Sequence, residues 1–400
     1  MIDNIKKLAA PLLLFALANL AMGLYAGLYE PSFNNYLAQV HQLDEVTRGS
    51  LEFPRELPGF LVVFIFSGLL FLTDTRMGML ATFLVGISLW GQGFFAPNIP
   101  MVVVWMLVWS TGSHLFMVLK SSIALRLTDK SQAGTILGRL GGLESLGKLI
   151  GMGLVLFGVS QLGFSFGIIF AVSGSCALAA ALLLFFIKPQ PIKRPPHYLM
   201  FKKKYALYYF FNVLFGARKQ IFLTFGPWIL IRLFNCGIET FAILGLTGTV
   251  LGLFFWPLLG RLIDLWGERT IIFIDSIVFG CICIFYGFSP QWFPYHTALK
   301  IIMVCYVLDQ LFFAVSMVRT TYLNRIAESS DDIAPTLSMG LTIDHAVSML
   351  VPVGGGILWA FWGYQWVFIA AAILALVTLG TSFFIPAPSS KSASANGTGS

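Results

Sequence analysis

Long hydrophobic stretches separated by short polar breaks recur along the whole chain. A run of roughly 18 or more apolar residues is typical of a membrane-spanning helix. Strands of a membrane barrel would be about ten residues long and alternate in polarity, so helices are predicted. The twelve predicted spans are 10–38, 50–72, 77–98, 100–126, 134–158, 162–187, 205–233, 239–263, 270–289, 298–323, 334–361 and 364–386.

The composition strengthens this prediction. Of 400 residues, 57% are hydrophobic and 11% are charged, whereas about 25% of the residues in an ordinary soluble domain are charged. The five cysteines lie in or beside apolar stretches, where a cysteine usually serves as a small hydrophobic residue. Their spacing matches neither a disulfide framework nor a metal site. We therefore expect an all-α membrane protein with no cofactor and no metal.

Basic residues are distributed unevenly between the two predicted sides of the membrane. Most Lys and Arg outside the spans fall on the side that holds both termini, whereas Arg48, Arg232 and Lys300 fall on the other. Positive charges in short loops stay cytoplasmic, so both termini are predicted to be cytoplasmic. The expected location is the plasma (inner) membrane. The net charge of +7 is then a topology signal, and no nucleic-acid binding is expected.

The chain is predicted to consist of two six-helix bundles, at 1–187 and 205–386. A basic cytoplasmic linker at 188–204 joins them, and the small, polar residues of 387–400 are expected to be a disordered tail.

Scarce polar residues of the two halves come into register at an offset of about 190–200 residues, as expected of a duplicated chain. Charged residues are rare in these spans, so their agreement is informative and predicts two pseudo-symmetric bundles. The corresponding residues are Asn19 and Asn212, Gly23 and Gly216, Asp74 and Asp264, Lys120 and Arg319, Arg126 and Arg325, and Glu144 and Asp344.

After the eighth span the chain reads GRLIDLWGER. Gly260, Asp264, Gly267 and Arg269 match the loop signature of the major facilitator superfamily, and the chain resembles that family. The resemblance implies the major facilitator (MFS) fold of twelve helices, with a loop that locks the cytoplasmic side in one state. We expect Gly260 to allow close helix packing, Asp264 to cap the turn and Arg269 to supply an inner positive charge.

Ionisable residues inside the spans are the main functional candidates, because a charge at mid-bilayer costs roughly 2.5–3.5 kcal/mol. In the family that the chain resembles, the first, fourth, seventh and tenth helices line the central cavity. The candidate substrate site therefore consists of Asn19, His114, Arg218, Lys219 and Asp309. Two interpretations of Arg218 stay open: it binds a substrate anion, with Asp309 as resting partner or proton carrier, or the two form a permanent bridge.

Two ion pairs are predicted in the inner third of the membrane: Lys120 with Glu144 and, by the repeat, Arg319 with Asp344. They either open and close with the cytoplasmic side or act as static bridges. Lys148, one turn beyond Glu144, is a competing partner.

A third group of charges lies in the outer half of the first two spans. Glu30, Glu52, Arg55 and Glu56 form this predicted outer cluster, which is either a gate or a polar cluster at the lipid headgroups.

Histidines add a possible proton site. His114 and His345 can change charge near neutral pH, although a membrane histidine also commonly packs through hydrogen bonds. A membrane-embedded enzyme is not expected, because these two histidines are isolated in different halves.

Together these features favour a secondary transporter that moves a small organic solute by alternating access. The expected partners are a small-molecule substrate, a coupling proton and the lipid bilayer, and the chain is expected to be a monomer. No GxxxxGK[ST] sequence indicates ATP-driven machinery. A lipid flippase and a non-transporting receptor on the same fold stay open as alternatives.

Overall fold

The structure, a computed structural model, describes residues 2–128, 132–188 and 201–386. All of its regular elements are helical over these residues. They are α1 (Ile2–Gln39), α2 (Glu45–Ser50), α3 (Glu52–Phe60), α4 (Val62–Gly68), α5 (Asp74–Phe94), α6 (Ile99–Arg126), α7 (Ala133–Leu162), α8 (Phe166–Phe185), α9 (Ala206–Phe234), α10 (Ile238–Trp292), α11 (Tyr295–Phe312), α12 (Ser316–Ile326), α13 (Ser330–Trp362) and α14 (Tyr364–Ser382).

Nine helical stretches of the described chain are long and apolar enough to cross a membrane. One of them, α10, contains the eighth and ninth predicted spans, which meet at Gly267, where φ is 76° and the geometry is not helical. Another joins α11 and α12 into a single crossing. The remaining predicted spans are the second, which is divided into short helices, and the seventh, α9, which carries Arg218, Lys219 and Arg232. The twelve predicted spans thus all correspond to described helices.

The second span differs from the continuous helix predicted over 50–72. It consists of α2, α3 and α4, which are separated at Leu51 and Leu61. Pro58 lies inside α3, and a proline removes one backbone hydrogen bond and crowds the preceding turn. Hydropathy registers polarity and not backbone geometry, so it does not predict the two separations.

Local signals account for several helix ends. Asn98 and Ser165 cap α6 and α8, each accepting a hydrogen bond from a backbone N–H in the first turn, as capping residues do. At the C-terminal end of α7, Gly163 adopts the left-handed conformation with a φ of 64°, which commonly terminates a helix.

The described chain divides into two compact units. Unit 1 contains residues from Met1–His197 and Pro227–Thr249, and unit 2 contains residues from Tyr198–Gly226 and Val250–Ser400. In unit 1, α1 packs against α7 and α8, and α5 packs against α6 and α8. In unit 2, the hydrophobic core includes Tyr205, Tyr208, Ile263, Val318 and Leu323.

The predicted bundle boundaries stay a prediction, because unit 1 also takes Pro227–Thr249 from the second half of the sequence. Residues 189–200 of the predicted linker and the predicted tail, 387–400, lie outside the described residues.

The two units repeat the same helix crossing. A Cβ on Gly23 would collide with the backbone carbonyl of Glu144, and a Cβ on Gly216 would collide with that of Asp344. Glycine at each position thus permits a close approach of two helices.

A hydrogen bond is also repeated. The side-chain amides of Asn19 and Asn212 donate to the carbonyls four residues earlier in their own helices, those of Phe15 and Tyr208, at 2.7 and 2.8 Å. Residues that the predicted repeat aligns, Asn19 with Asn212 and Gly23 with Gly216, therefore make matching contacts in the two units.

Candidate functional site

A buried arginine of unit 2 lies between two carboxylates, and we name these three residues the Arg218 cluster: Arg218, Asp275 and Asp309. Arg218, on α9, donates through Nη1 to Asp275 on α10, while its Nη2 lies 4.0 Å from Asp309 on α11. The guanidinium also stands 4.1 Å from the ring centroid of Phe279. The sequence predicts Asp309 as the partner of Arg218. The structure places Asp309 beside Arg218 but makes Asp275 the closer acid.

Solvent reaches the two acids of the Arg218 cluster unequally. The side chain of Asp309 is 22% exposed, whereas that of Asp275 is 6% exposed. Asp275 Oδ1 is buried and, among the described residues, accepts no hydrogen bond. Of the two carboxylates, Asp309 is therefore the more accessible one.

A second buried group of unit 2 surrounds one carboxylate with two cations. We name it the Asp344 cluster: Asn212, Lys219, Arg319, Asp344 and Ser348. Lys219 Nζ donates to Asp344 Oδ1, and Arg319 Nη1 lies 3.5 Å from Asp344 Oδ2 and donates to Asn212 Oδ1. Ser348 Oγ donates to Asp344 Oδ1 at 3.3 Å. The predicted pairing of Arg319 with Asp344 is present, and Lys219, predicted in the substrate site, also binds Asp344.

The tenth predicted span is interrupted between these two clusters. A 3₁₀ turn at Phe313–Val315 separates α11, which carries Asp309, from α12, which carries Arg319. A short 3₁₀ stretch inside a long helix often marks a functional hinge. Asp309 and Arg319, one residue from each cluster, thus lie on either side of a local change in helix geometry.

The corresponding position in unit 1 holds a simple ion pair. Lys120 Nζ donates to both oxygens of Glu144, at 2.9 and 3.2 Å, and the side chains are 35% and 37% exposed. The side chains that the sequence pairs are thus in contact. Whether the pair opens during a transport cycle stays a prediction.

Lys148 does not compete for Glu144 in this structure. Its Nζ lies 2.5 Å from Glu30 Oε2, so Glu30 pairs across α1 and α7. Whether Glu30 acts together with the charges of the second span stays a prediction.

The outer cluster is more deeply buried than the sequence indicates. Glu52 accepts hydrogen bonds from Arg48 at 2.6 Å and from Arg55 at 3.0 Å. Arg48, which the sequence assigns to an outer loop, is 0% exposed, as is Glu52, and Glu56 is buried as well. Arg48, Glu52 and Glu56 are thus buried within the protein, and the choice between a gate and a polar cluster at the lipid headgroups stays a prediction.

Asn19 and His114 have local partners in unit 1. The Asn19 amide is bonded within its own helix. His114 Nδ1 lies 3.0 Å from the hydroxyl of Ser110, which donates to the Arg55 carbonyl at 2.5 Å. His345, in unit 2, is buried. These contacts leave the predicted binding and proton-carrying roles of the three residues as predictions.

In the loop signature, the second glycine has an unusual backbone conformation. Gly267 has a φ of 76°, which side-chain-bearing residues rarely adopt, and Arg269 stacks 5.1 Å from the Phe383 ring centroid. Asp264 is exposed. The close packing expected at Gly260 is wrong, because no neighbouring atom lies within 4 Å of where a Cβ would stand.

The buried acid of this loop is Glu268, which pairs with Arg325. In unit 1, Asp74 is the buried acid and accepts from Arg126 at 2.7 Å and from Ser122 at 2.6 Å. The matched arginines, Arg126 and Arg325, thus bind acids at different positions of the repeat. The signature highlights Asp264 and gives no indication of Glu268.

Two lysines just before α9 pair with Glu328, which lies between α12 and α13, and with Asp332, which is buried in the first turn of α13. Lys202 binds Asp332 at 2.7 Å, and Lys204 binds Glu328 at 2.8 Å. The hydrogen bond from Lys204 lowers the pKa of Glu328 below its usual value, and the bond to Asp332 raises the pKa of Lys202.

A family model described as Major Facilitator Superfamily matches residues 57–342. No curated protein matches the sequence.

Several solved structures share the fold. A mutant of the nucleoside transporter NupG aligns with a TM-score of 0.76 at 13% identity, over 94% of this chain and 99% of that one. The D-xylose-proton symporter aligns with a TM-score of 0.66 at 14% identity, over 94% and 98%. A bacterial homologue of the human lysosomal transporter Spinster aligns at 0.66 and 12% identity, over 96% of both chains. The predicted family resemblance and the predicted twelve-helix fold are confirmed.

Proposed function

This chain belongs to the Major Facilitator Superfamily, and from that premise we propose that it moves a small organic solute across a membrane by alternating access, coupled to a proton. It is a multi-pass membrane protein and a secondary transporter, as the family and the apolar helices indicate. The solute, the proton and the orientation with both termini in the cytoplasm of a plasma membrane belong to the proposal.

The observation that carries the proposal is the shared arginine of the Arg218 cluster. One cation faces two carboxylates on two other helices, so the cluster carries a net negative charge when both acids are ionised. A buried charge without a partner is unfavourable. A proton on Asp309 would leave Arg218 paired with Asp275 and would balance the cluster.

Such an arrangement suits coupling because the proton and the helix contacts depend on one another. With Asp309 ionised, both acids attract the guanidinium and hold α9, α10 and α11 together. With Asp309 protonated, α11 loses its charge interaction with Arg218, and the 3₁₀ turn after it offers a place to bend. Asp309 is thus the proposed proton carrier, and Asp275 is the permanent partner of Arg218.

Names of similar structures supply the first solutes to test. One is called a nucleoside transporter and another a D-xylose-proton symporter. A thermal-shift screen of the purified protein with nucleosides, pentoses and organic acids would select solutes that bind.

The proposal is tested by uptake of a selected solute into proteoliposomes that contain the purified protein. An imposed inward proton gradient should accelerate uptake in the native protein, and Asp309→Asn should abolish that acceleration while retaining exchange of solute for solute. Lys204→Gln, which removes an exposed pair, serves as the control and should behave as the native protein does. Uptake that ignores the gradient, or an Asp309→Asn protein that still responds to it, would refute proton coupling. Failure to move any solute that binds would refute transport.

A further inference from the structure

We propose that the Asp344 cluster binds the carboxylate group of the transported solute, which makes the substrate an organic acid. This inference rests on the proposed function, because it assigns the substrate class of that same transporter.

The charge count leaves one positive charge unmatched. In the described part of unit 2, the ion pairs of Lys219 and of Arg319 both end on a single carboxylate, that of Asp344. Two cations with one acid in a buried site are unfavourable unless an anion completes the group. The missing charge is a single negative one, which matches a carboxylate better than a phosphate dianion.

Hydrogen-bond donors are available for such a ligand. Arg319 Nε is buried and has no hydrogen-bond partner among the described residues. The Lys219 ammonium has three N–H donors, and one of them binds Asp344. A carboxylate placed between these two side chains could accept from both, and hydrogen bonds between charged groups are the strongest in proteins.

Exposure indicates the side from which the ligand would come. The side chains of Lys219 and Arg319 are 12% and 16% exposed, whereas that of Asp344 is 5% exposed. The two cations are therefore the more accessible groups of the cluster, and the acid is the more buried one. We infer that an entering anion meets the cations before it meets the acid.

The neighbouring Arg218 cluster has the opposite imbalance. Arg218 and Lys219 are consecutive residues of α9, so an acid-rich site and a base-rich site lie side by side in unit 2. A proton on Asp309 and a carboxylate on Lys219 and Arg319 would balance both sites together. The two imbalances thus point to the co-transport of an organic acid with a proton.

Acetate, the smallest stable probe with the relevant group, gives a test that needs no knowledge of the full substrate. Thermal unfolding of the purified protein in detergent is followed while sodium acetate, sodium chloride or acetamide is titrated. Acetate should raise the melting temperature saturably, whereas the uncharged acetamide should not. Equal responses to acetate and acetamide would overturn the proposal. A chloride response equal to that of acetate would overturn the carboxylate assignment and indicate an inorganic anion.

Two variants should change the affinity for acetate in opposite directions, which a general loss of stability cannot do. Lys219→Gln leaves one cation with one acid and should weaken acetate binding by roughly 10- to 100-fold. Asp344→Asn leaves two cations without an acid and should tighten it. Lys148→Gln, which removes a lysine bound to Glu30 in unit 1, is the control and should leave the affinity for acetate unchanged.

If Lys219→Gln does not fold, Arg319→Gln carries the same expectation. Native affinity for acetate in the variant that folds would refute the proposal. Because acetate binding is measured without transport, its failure is distinguishable from that of the proposed function. Proton-driven uptake of a neutral solute with no acetate binding would refute only the anion site, and acetate binding without proton-driven uptake would refute only the proton coupling.

Discussion

The two units share a helix crossing but differ in the charges that surround it. In unit 1, Gly23 meets the Glu144 backbone, and Glu144 binds one lysine in a pair that is more than a third exposed. In unit 2, Gly216 meets the Asp344 backbone, and Asp344 binds both Lys219 and Arg319 in a buried cluster. The packing is repeated, while the charge balance is not.

This difference separates what a duplicated fold must keep from what it can change. A close crossing tolerates only glycine, so both halves retain it. The number of charges near the crossing depends on the side chains alone. Unit 2 carries a cation on α9, Lys219, whereas the aligned position in unit 1 is Ala26. We therefore assign the proposed substrate specificity to the Asp344 cluster of unit 2.

The largest expected effect on stability comes from removing the acids at the two crossings. Asp344→Asn should cost about 3–5 kcal/mol of unfolding free energy, because it leaves buried cations without a partner. Glu144→Gln should cost only about 0–1 kcal/mol, because its pair is partly solvated. Unfolding of both variants in mixed micelles measures the difference, and equal losses would show that the two sites are not distinct in burial.

A smaller effect, equal in the two units, is expected at the glycines. Gly23→Ala and Gly216→Ala should each cost about 1–3 kcal/mol through overpacking against a backbone carbonyl. Gly153→Ala in α7 and Gly354→Ala in α13 are matched controls, because no atom lies within 4 Å of a Cβ at either position. The controls should be neutral or slightly stabilising. If one crossing glycine tolerates alanine as the controls do, the repeat of the crossing is not real.

The smallest effect is expected at the exposed pair of Lys204 and Glu328. Lys204 lowers the pKa of Glu328 in the folded protein, so the pair adds stability above the unfolded pKa of Glu328. That contribution is lost as the pH falls through the lowered folded pKa. Glu328→Gln should flatten the acid side of the melting-temperature profile slightly. An unchanged profile would indicate that the pair contributes nothing measurable.

Helix positions could be predicted from sequence because lipid requires each span to satisfy its own backbone. The repeat could be predicted as well, since charges are scarce enough for Lys120 and Arg319, or Glu144 and Asp344, to align. The division of the second span could not, because hydropathy registers polarity and not backbone geometry.

The choice of charge partners was harder to predict. The sequence does not single out Asp275, because this residue lies near the start of its predicted span. In the structure it is the closer partner of Arg218. Arg48, assigned to a loop, is fully buried on Glu52. Partner choice depends on helix rotation and side-chain reach, and neither follows from position along the chain.

The most direct test of the account is the proton flux that accompanies solute entry. Proteoliposomes loaded with a pH-sensitive dye would receive a solute selected by binding, with no imposed gradient. The account predicts internal acidification with the native protein, none with Asp309→Asn, and acidification that persists with Glu144→Gln. Acidification by Asp309→Asn at the native rate would contradict the assignment of coupling to unit 2.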